Sequence, residues 1–274
     1  MSPVLTIRDL TISIGRPLVR GISLDLTAGR IHGLAGESGS GKTLTSLAML
    51  GLLPAHAETG GSIRLGEQEI LGMPRRALNR LRGRRIAMVF QDPSTSLHPQ
   101  LTVGRQLTDH VRTHLRLSKD AARRHAVELL ERVQVPDPEH ALRRYPHQFS
   151  GGQRQRISIA SALACDPEVL LADEPTTALD VTVQAGILQL LRSLTEERDL
   201  AVLLVTHDLG VMSAIADDVS VMRQGRIVES APRHQLFHAP QDEYTRSLLE
   251  ALPGARDGRD EAAAAAAEGG GGDD

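Results

Sequence analysis

The residues best equipped for chemistry stand in one stretch, Gly36-Glu37-Ser38-Gly39-Ser40-Gly41-Lys42-Thr43. Their types and spacing fit the phosphate-cradling pattern G-x-x-x-x-G-K-[ST] in full. The glycines let successive backbone N–H groups turn toward one point. The start of a following helix adds partial positive charge, so a polyphosphate finds donors already aimed at it. Lys42 is expected to reach the β and γ phosphates, and Thr43 to offer its hydroxyl to Mg²⁺. A second, acidic element closes the apolar run Val169-Leu170-Leu171-Ala172 with Asp173 and Glu174. Asp173 is the expected Mg²⁺ partner, directly or through water, and Glu174 is placed to polarise the water that attacks the γ phosphate.

A phosphate cradle of this kind needs a strand before it and a helix after it, and the sequence supplies both. Ile31 to Leu34 is short and almost wholly apolar, and a helical pattern runs from Lys42 to Leu53. Together they make the strand, loop, helix unit of a buried parallel sheet. Leu5 to Ile14 and Gly21 to Leu26 also read as strands, in an antiparallel β region at the N-terminus. Glu168 to Ala172 and Leu200 to Val205 are further short apolar strands, so the fold class is α/β. From about Leu101 to Leu163 the reading turns helical: Ala121 to Val133 places Ala122, Ala126, Leu129, Leu130 and Val133 on one face. We expect a helical subdomain, residues 95–163, inserted into the α/β core between the loops Gln91 to Pro99 and Tyr145 to Gly152. After Pro253 come charged residues, an Ala tract, four Gly and two Asp. That composition cannot offset its ordering entropy, and 253–274 is expected to be a disordered tail.

Composition excludes several function classes. The 274 residues are 41% hydrophobic and 24% charged, ordinary globular usage, so disorder throughout is ruled out. Aromatics make up only 2%, so the core must be aliphatic. The formal net charge is −3, which gives no global field for nucleic acid. From Arg75 to Arg156 there are 17 Lys or Arg against 7 Asp or Glu, but no aromatic interleaving accompanies them. They read as solvated helix faces, and no nucleic-acid partner is expected. The single Cys165 can form neither an intrachain disulfide nor a multi-Cys metal site, which fits a reducing compartment. The start, Met1 to Leu5, lacks the marks of a secretory signal, and the longest apolar runs fall far short of the roughly 20 residues that span a bilayer. Any crossing of a membrane is expected to fall to another chain.

The loop and the acidic pair together are those of a P-loop nucleotidase, and three further elements narrow the kind. Phe149-Ser150-Gly151-Gly152-Gln153 precedes an Arg-led helical run, Gln91 follows the strand Ile86 to Phe90, and His207 follows Ala201 to Thr206. In this order and spacing, from about Leu5 to Leu252, the chain resembles the ATP-binding subunits of ABC transporters. Ala178-Leu179-Asp180 matches that family's D-loop. Phe149 stands where the family pattern has Leu. The resemblance implies that Ser150, Gly151, Gly152 and Gln153 contact the γ phosphate of ATP held by a second ATPase subunit. It implies that Gln91 is a Mg²⁺ and water ligand at the junction with the helical subdomain, and that His207 holds the γ phosphate and the water near Glu174. ATP and Mg²⁺ are the implied cofactors.

Local sequence points to one branch. The phosphate loop itself, Phe90-Gln91-Asp92-Pro93 with Ser96-Leu97, the run Asp173 to Val181, and Tyr244-Thr245-Arg246-Ser247-Leu248-Leu249 look like the oligopeptide, dipeptide and nickel importers. The last lies in a C-terminal extension, about 230–252, typical of that branch. The lone Cys165 cannot build the iron–sulfur segment of several peptide-importing relatives, which leans slightly toward the nickel type. The resemblance implies residues 1–252 as one ABC ATP-binding domain and an ATP-hydrolysing importer subunit at the cytoplasmic face of the membrane, the alternatives being a soluble ABC ATPase acting on nucleic acid or ribosomes, or the ATPase of an exporter. Its implied partners are a second ATPase subunit, two permease chains and a solute-binding protein. One departure stands out. Such ATPases stack adenine on an aromatic about two dozen residues before the phosphate loop, yet the first aromatic here is Phe90. The position falls near Ile14 to Arg16, so aliphatic or Arg contact with adenine and weaker base discrimination are expected.

Overall fold

Alternation of apolar residues, broken once in each strand, builds the N-terminal hairpin. In β1 (Pro3–Ile14) Leu5, Ile7, Leu10 and Ile12 are fully buried, and in β2 (Arg16–Thr27) Val19, Ile22, Leu24 and Leu26 join them. Both strands outrun the expected Leu5 to Ile14 and Gly21 to Leu26: β2 starts early because the turn at Gly15 is so tight that pairing resumes at once with Ile14 against Arg16, and at the far end Pro3 of β1 pairs with Thr27 of β2. The computed structural model describes residues 2–92, 96–177 and 179–251. The expected tail 253–274, Pro93 of the Gln91 motif and Ala178 of the D-loop motif lie outside the described residues.

A third strand, β4 (Glu58–Leu65), was not legible in the sequence, because Gly60-Gly61 reads as a turn. Its reason is a close approach. β1 bulges at Asp9, and β4 crosses that bulge so tightly that a Cβ on Gly61 would lie 2.4 Å from the Asp9 carbonyl oxygen. With the short β5 (Gln68–Glu69) these strands form an antiparallel sheet ordered β2-β1-β4-β5.

The second sheet has six strands, ordered β10-β9-β3-β8-β7-β6. In it β3 (Ile31–Ala35), β6 (Ile86–Val89), β7 (Val169–Asp173), β8 (Ala201–Val205) and β9 (Asp218–Arg223) run parallel. β10 (Arg226–Pro232) turns back against β9 through Gln224-Gly225, both at positive φ, as a two-residue hairpin requires. These last two strands were also unread in the sequence. Alternate residues of β7 and β8 face opposite sides. Leu170, Ala172, Val202 and Leu204 join an apolar cluster with the helices, while Val169, Leu171, Ala201, Leu203 and Val205 join one with the first sheet. Burial on both faces is why these strands are uninterrupted apolar runs.

Helix α1 (Lys42–Met49) stops four residues before the expected Leu53. Gly51 at φ 59 ends it, with Leu52 N–H donating to the Leu47 carbonyl and Gly51 N–H to Ala48, the double bond of a glycine-stopped helix. After α2 (Arg75–Leu81) and β6, the described chain is helical until β7. It runs through α3 (Val103–Leu115), α4 (Lys119–Arg132), α5 (Pro138–Ala141) and α6 (Gly151–Leu163). In α4 the buried residues are Ala122, Ala126, Leu129 and Leu130, as the spacing predicts. The remaining helices are α7 (Val181–Arg198), α8 (Leu209–Ile215), α9 (Arg233–His238) and α10 (Glu243–Glu250). Among the described residues no helix is long and apolar enough to cross a membrane.

Candidate functional site

The loops that follow β3, β8, β7 and β6, four adjacent parallel strands, carry the residues picked out by chemistry. Ligands of open α/β sheets bind at such carboxyl ends. After β3 the chain turns through Gly36 at φ 145, pressed so closely on β9 that an added Cβ would sit 2.1 Å from the Met222 carbonyl oxygen. Helix α1 then starts at Gly41 without any side-chain cap, which leaves its first N–H groups for a ligand. Lys42 is buried, and its Nζ donates to the carbonyls of Gly36 at 2.7 Å and Glu37 at 2.8 Å. Burial holds its pKa below the ordinary lysine value, against the pull of Glu174, Asp173 and Glu37. Glu37, Ser38, Gly39 and Thr43 are exposed on the loop, and Ser40 is buried with its hydroxyl unpartnered.

Asp173 ends β7, buried beside the loop. Its carboxyl is pushed above the ordinary range by burial, while a hydrogen bond from Thr43 and the charge of Lys42 pull the other way. One oxygen, Oδ1, is buried without a hydrogen-bond partner. An orphaned carboxylate oxygen beside a Thr hydroxyl fits a hard divalent cation such as Mg²⁺, which takes one or two protein oxygens and fills the rest of its shell with water and phosphate. Accordingly, no group of three or more His, Cys, Asp or Glu able to hold a metal occurs among the described residues.

Glu174 is the hub of the site. Its backbone sits at φ 47, a strained conformation for a non-glycine residue, pinned by its N–H on the Val205 carbonyl at 2.8 Å. Gln91 Nε2 donates to its Oε2 at 2.8 Å, Thr177 Oγ1 to the same oxygen at 2.9 Å, and His207 Nδ1 lies 2.9 Å from Oε1. Burial would raise this carboxyl's pKa, yet the bonds from His207 and Thr177, with the charges of His207 and Lys42, hold it below the ordinary value. Three strand ends thus converge on one carboxylate. Thr177 was missed in the sequence, because only the turn that puts Thr177 N–H on the Glu174 carbonyl brings its hydroxyl back.

The other expected residues stand apart from this hub. Ser150 and Gln153 form a reciprocal cap at the start of α6: Gln153 N–H donates to Ser150 Oγ and Ser150 N–H to Gln153 Oε1. The Ser150 hydroxyl therefore accepts from its own helix and keeps its proton to donate outward. Gly151 and Gly152 open that helix, packed against Leu179 and Val183. Asp180 caps α7, accepting from Val183 N–H at 2.9 Å. Among the described residues no hydrogen bond joins Ser150 to Gln153 with the phosphate loop. Beside Gly39, an open cavity of about 210 Å³ is lined by Arg16, Pro17, Leu18, Arg20 and Gln224, with no aromatic ring among them.

Comparison with known proteins agrees with this geometry. A family described as ABC transporter matches residues 19–177. The chain is 45% identical over 260 residues to the dipeptide transport ATP-binding protein DppD of Bacillus subtilis (strain 168), covering 92% of this chain and 78% of that one. It is 46% identical over 259 residues to the oligopeptide transport ATP-binding protein OppD of Mycobacterium bovis, where it spans 92% of itself but only 42% of the relative. Among solved structures, the dimeric post-hydrolysis state of the ATP-binding cassette MJ0796 bound to ADP and Pi superposes with a TM-score of 0.73. That match is at 27% identity and covers 84% of this chain and 98% of the other. A phosphate loop after β3, an acidic pair at the end of β7 and a match of this breadth have one explanation: the chain is an ABC-type ATPase cassette and belongs to the ABC transporter family.

Proposed function

We propose that this protein binds and hydrolyses ATP as a subunit of an importer of peptides, and that Glu174 is the group that activates water. The observation carrying the proposal is the convergence of Gln91, Thr177 and His207 on the Glu174 carboxylate next to a buried Lys42. The Gly36–Thr43 loop would hold the β and γ phosphates, Lys42 leaving its carbonyl partners for the γ phosphate. Thr43, Asp173 and Gln91 would hold Mg²⁺, which when bound neutralises phosphate charge. Glu174, kept ionised by its surroundings, accepts hydrogen-bonding from the attacking water, while His207 orients both. The products are ADP and phosphate, and positioning with electrostatics does most of the work.

Pairing with a second ATPase is supported by the free hydroxyl proton of Ser150 at a helix start, an anion site with no phosphate loop of its own. The dimeric state of the MJ0796 cassette supports the same arrangement. In it Gly151, Gly152 and Gln153 would face the partner's nucleotide and Asp180 would lie at the seam. Residues 95–163 act as the helical subdomain of a domain spanning 1–252, and Gln91 links that subdomain to nucleotide state. Two permeases and a solute-binding protein complete the system, with this chain at the cytoplasmic face of the membrane. The relatives' names favour peptides over nickel. Arg16 and Leu18 would contact adenine in place of a ring.

The test is phosphate release and uptake. Purified chain should release phosphate from ATP only with Mg²⁺, and EDTA should abolish it. Lys42→Ala should lose ATP affinity at least ten-fold by calorimetry. In cells lacking this protein, uptake of a labelled dipeptide should return with the wild type and not with Lys42→Ala. Wild-type ATP affinity in Lys42→Ala would overturn the assignment.

A further inference from the structure

The C-terminal motif beginning at Tyr244 lies outside the matched family residues 19–177, and nothing in the ATPase mechanism has used it. The fold delivers it to the nucleotide site. Asp242 caps α10 by accepting from Tyr244 N–H at 2.9 Å and Thr245 N–H at 3.4 Å. The nearly buried Glu229 carboxylate of β10 clamps the entry to this helix, taking Gln241 N–H at 2.8 Å and Asp242 N–H at 3.1 Å. On the other side the Arg223 guanidinium of β9 lies over the Tyr244 ring, 4.5 Å from its centre. Arg223 follows Met222, the residue against which Gly36 packs. The ring is 6% exposed, and its hydroxyl ends at the phosphate loop, where Glu37 N–H donates to it at 3.4 Å.

We infer that Tyr244 is a positioning residue for the phosphate loop, its hydroxyl anchoring the Glu37 peptide so that the loop keeps its cradle shape when nucleotide enters. The inference rests on the proposed nucleotide site. The Glu37 main chain is held on both sides, by Tyr244 at its N–H and by Lys42 Nζ and Ser40 N–H at its carbonyl. When Lys42 turns to a γ phosphate its hold is lost, and the first turn of the loop keeps Tyr244 at the Glu37 N–H and the Ser40 N–H, at 3.2 Å, on the Glu37 carbonyl. A residue needed only for packing would serve as well without its hydroxyl. This one places its sole polar group on the loop. The phenol also stays protonated: burial raises its pKa, and the nearby Glu37 carboxylate adds to that rise. The importer-type extension thereby feeds directly into nucleotide affinity.

Tyr244→Phe keeps the ring, its burial and the Arg223 contact and removes only the hydroxyl. ATP and ADP affinities of the full chain, measured by calorimetry, should each weaken about five-fold, the factor one net hydrogen bond contributes. In the ATPase assay KM should rise by the same factor with kcat retained, and the thermal midpoint should stay near that of the wild type. Affinities and KM equal to wild type would overturn the inference. So would an unchanged KM with a lowered kcat, which marks loss of active protein rather than a displaced loop. Lys42→Ala run alongside separates the two claims. If it loses ATP while Tyr244→Phe is unaffected, the inference alone fails; if it retains ATP, the nucleotide site itself fails.

Discussion

Glu174, the proposed water-activating group, has little freedom. Three neighbours occupy its carboxylate, and the positive φ beneath it aims the group across the strand ends. Glu174→Gln keeps the shape and removes the charge. ATP affinity should stay within about two-fold of wild type while kcat falls by about 10² to 10⁴, the usual range for a lost general base, as single-turnover phosphate release would read. Cys165 presents the opposite case, a reactive group silenced by its surroundings. It is 4% exposed, and burial pushes its thiol up to about 11, against the opposing charge of Arg84. Iodoacetamide at pH 8 should label it about a hundred-fold more slowly in the native chain than after unfolding in guanidinium, because only the thiolate reacts. Equal rates would refute the burial.

Elements explain which signals were readable. Buried parallel strands such as β7 and β8 announce themselves, because both faces must be apolar, and α4 does so through its spacing. β4 does not. Its Gly60-Gly61 answers a bulge nine residues from the N-terminus rather than any local preference. Likewise Gly36 is a glycine for a neighbour's sake, since β9 leaves no room at that turn. Gly36→Ala should therefore cost about 3 kcal/mol in urea unfolding, at the upper end for overpacking, and abolish ATP binding by calorimetry. A variant that unfolds and binds like wild type would show that the loop and β9 are not in contact. Of the site, the loop, the acidic pair, Gln91 and His207 were legible as types and order. Thr177 and Tyr244 were not, because their partners are reached only by a turn or from a distant helix.

At the scale of the whole molecule, the phosphate loop and the Ser150 edge share no hydrogen bond among the described residues, and in the proposed function they serve two different nucleotides. On that proposal closure would require a second ATPase subunit. Full-length Glu174→Gln should sediment as a monomer without nucleotide and at twice that mass with ATP and Mg²⁺, if the partner is a copy of itself. A required second kind of chain would instead appear as doubling only after the two are mixed. The sequence alone determined the α/β class, the cradle, the acidic pair and the aliphatic core, since each depends on residue types within a few positions of one another. Tertiary structure decided what those groups touch: that Gln91, Thr177 and His207 meet on Glu174, that Asp173 keeps an oxygen unpartnered, and that Tyr244 reaches Glu37 from over two hundred positions away. Such contacts come from the order of parallel strands and the docking of the last helix, and that order is set by packing across both faces of the sheet, which no local pattern encodes.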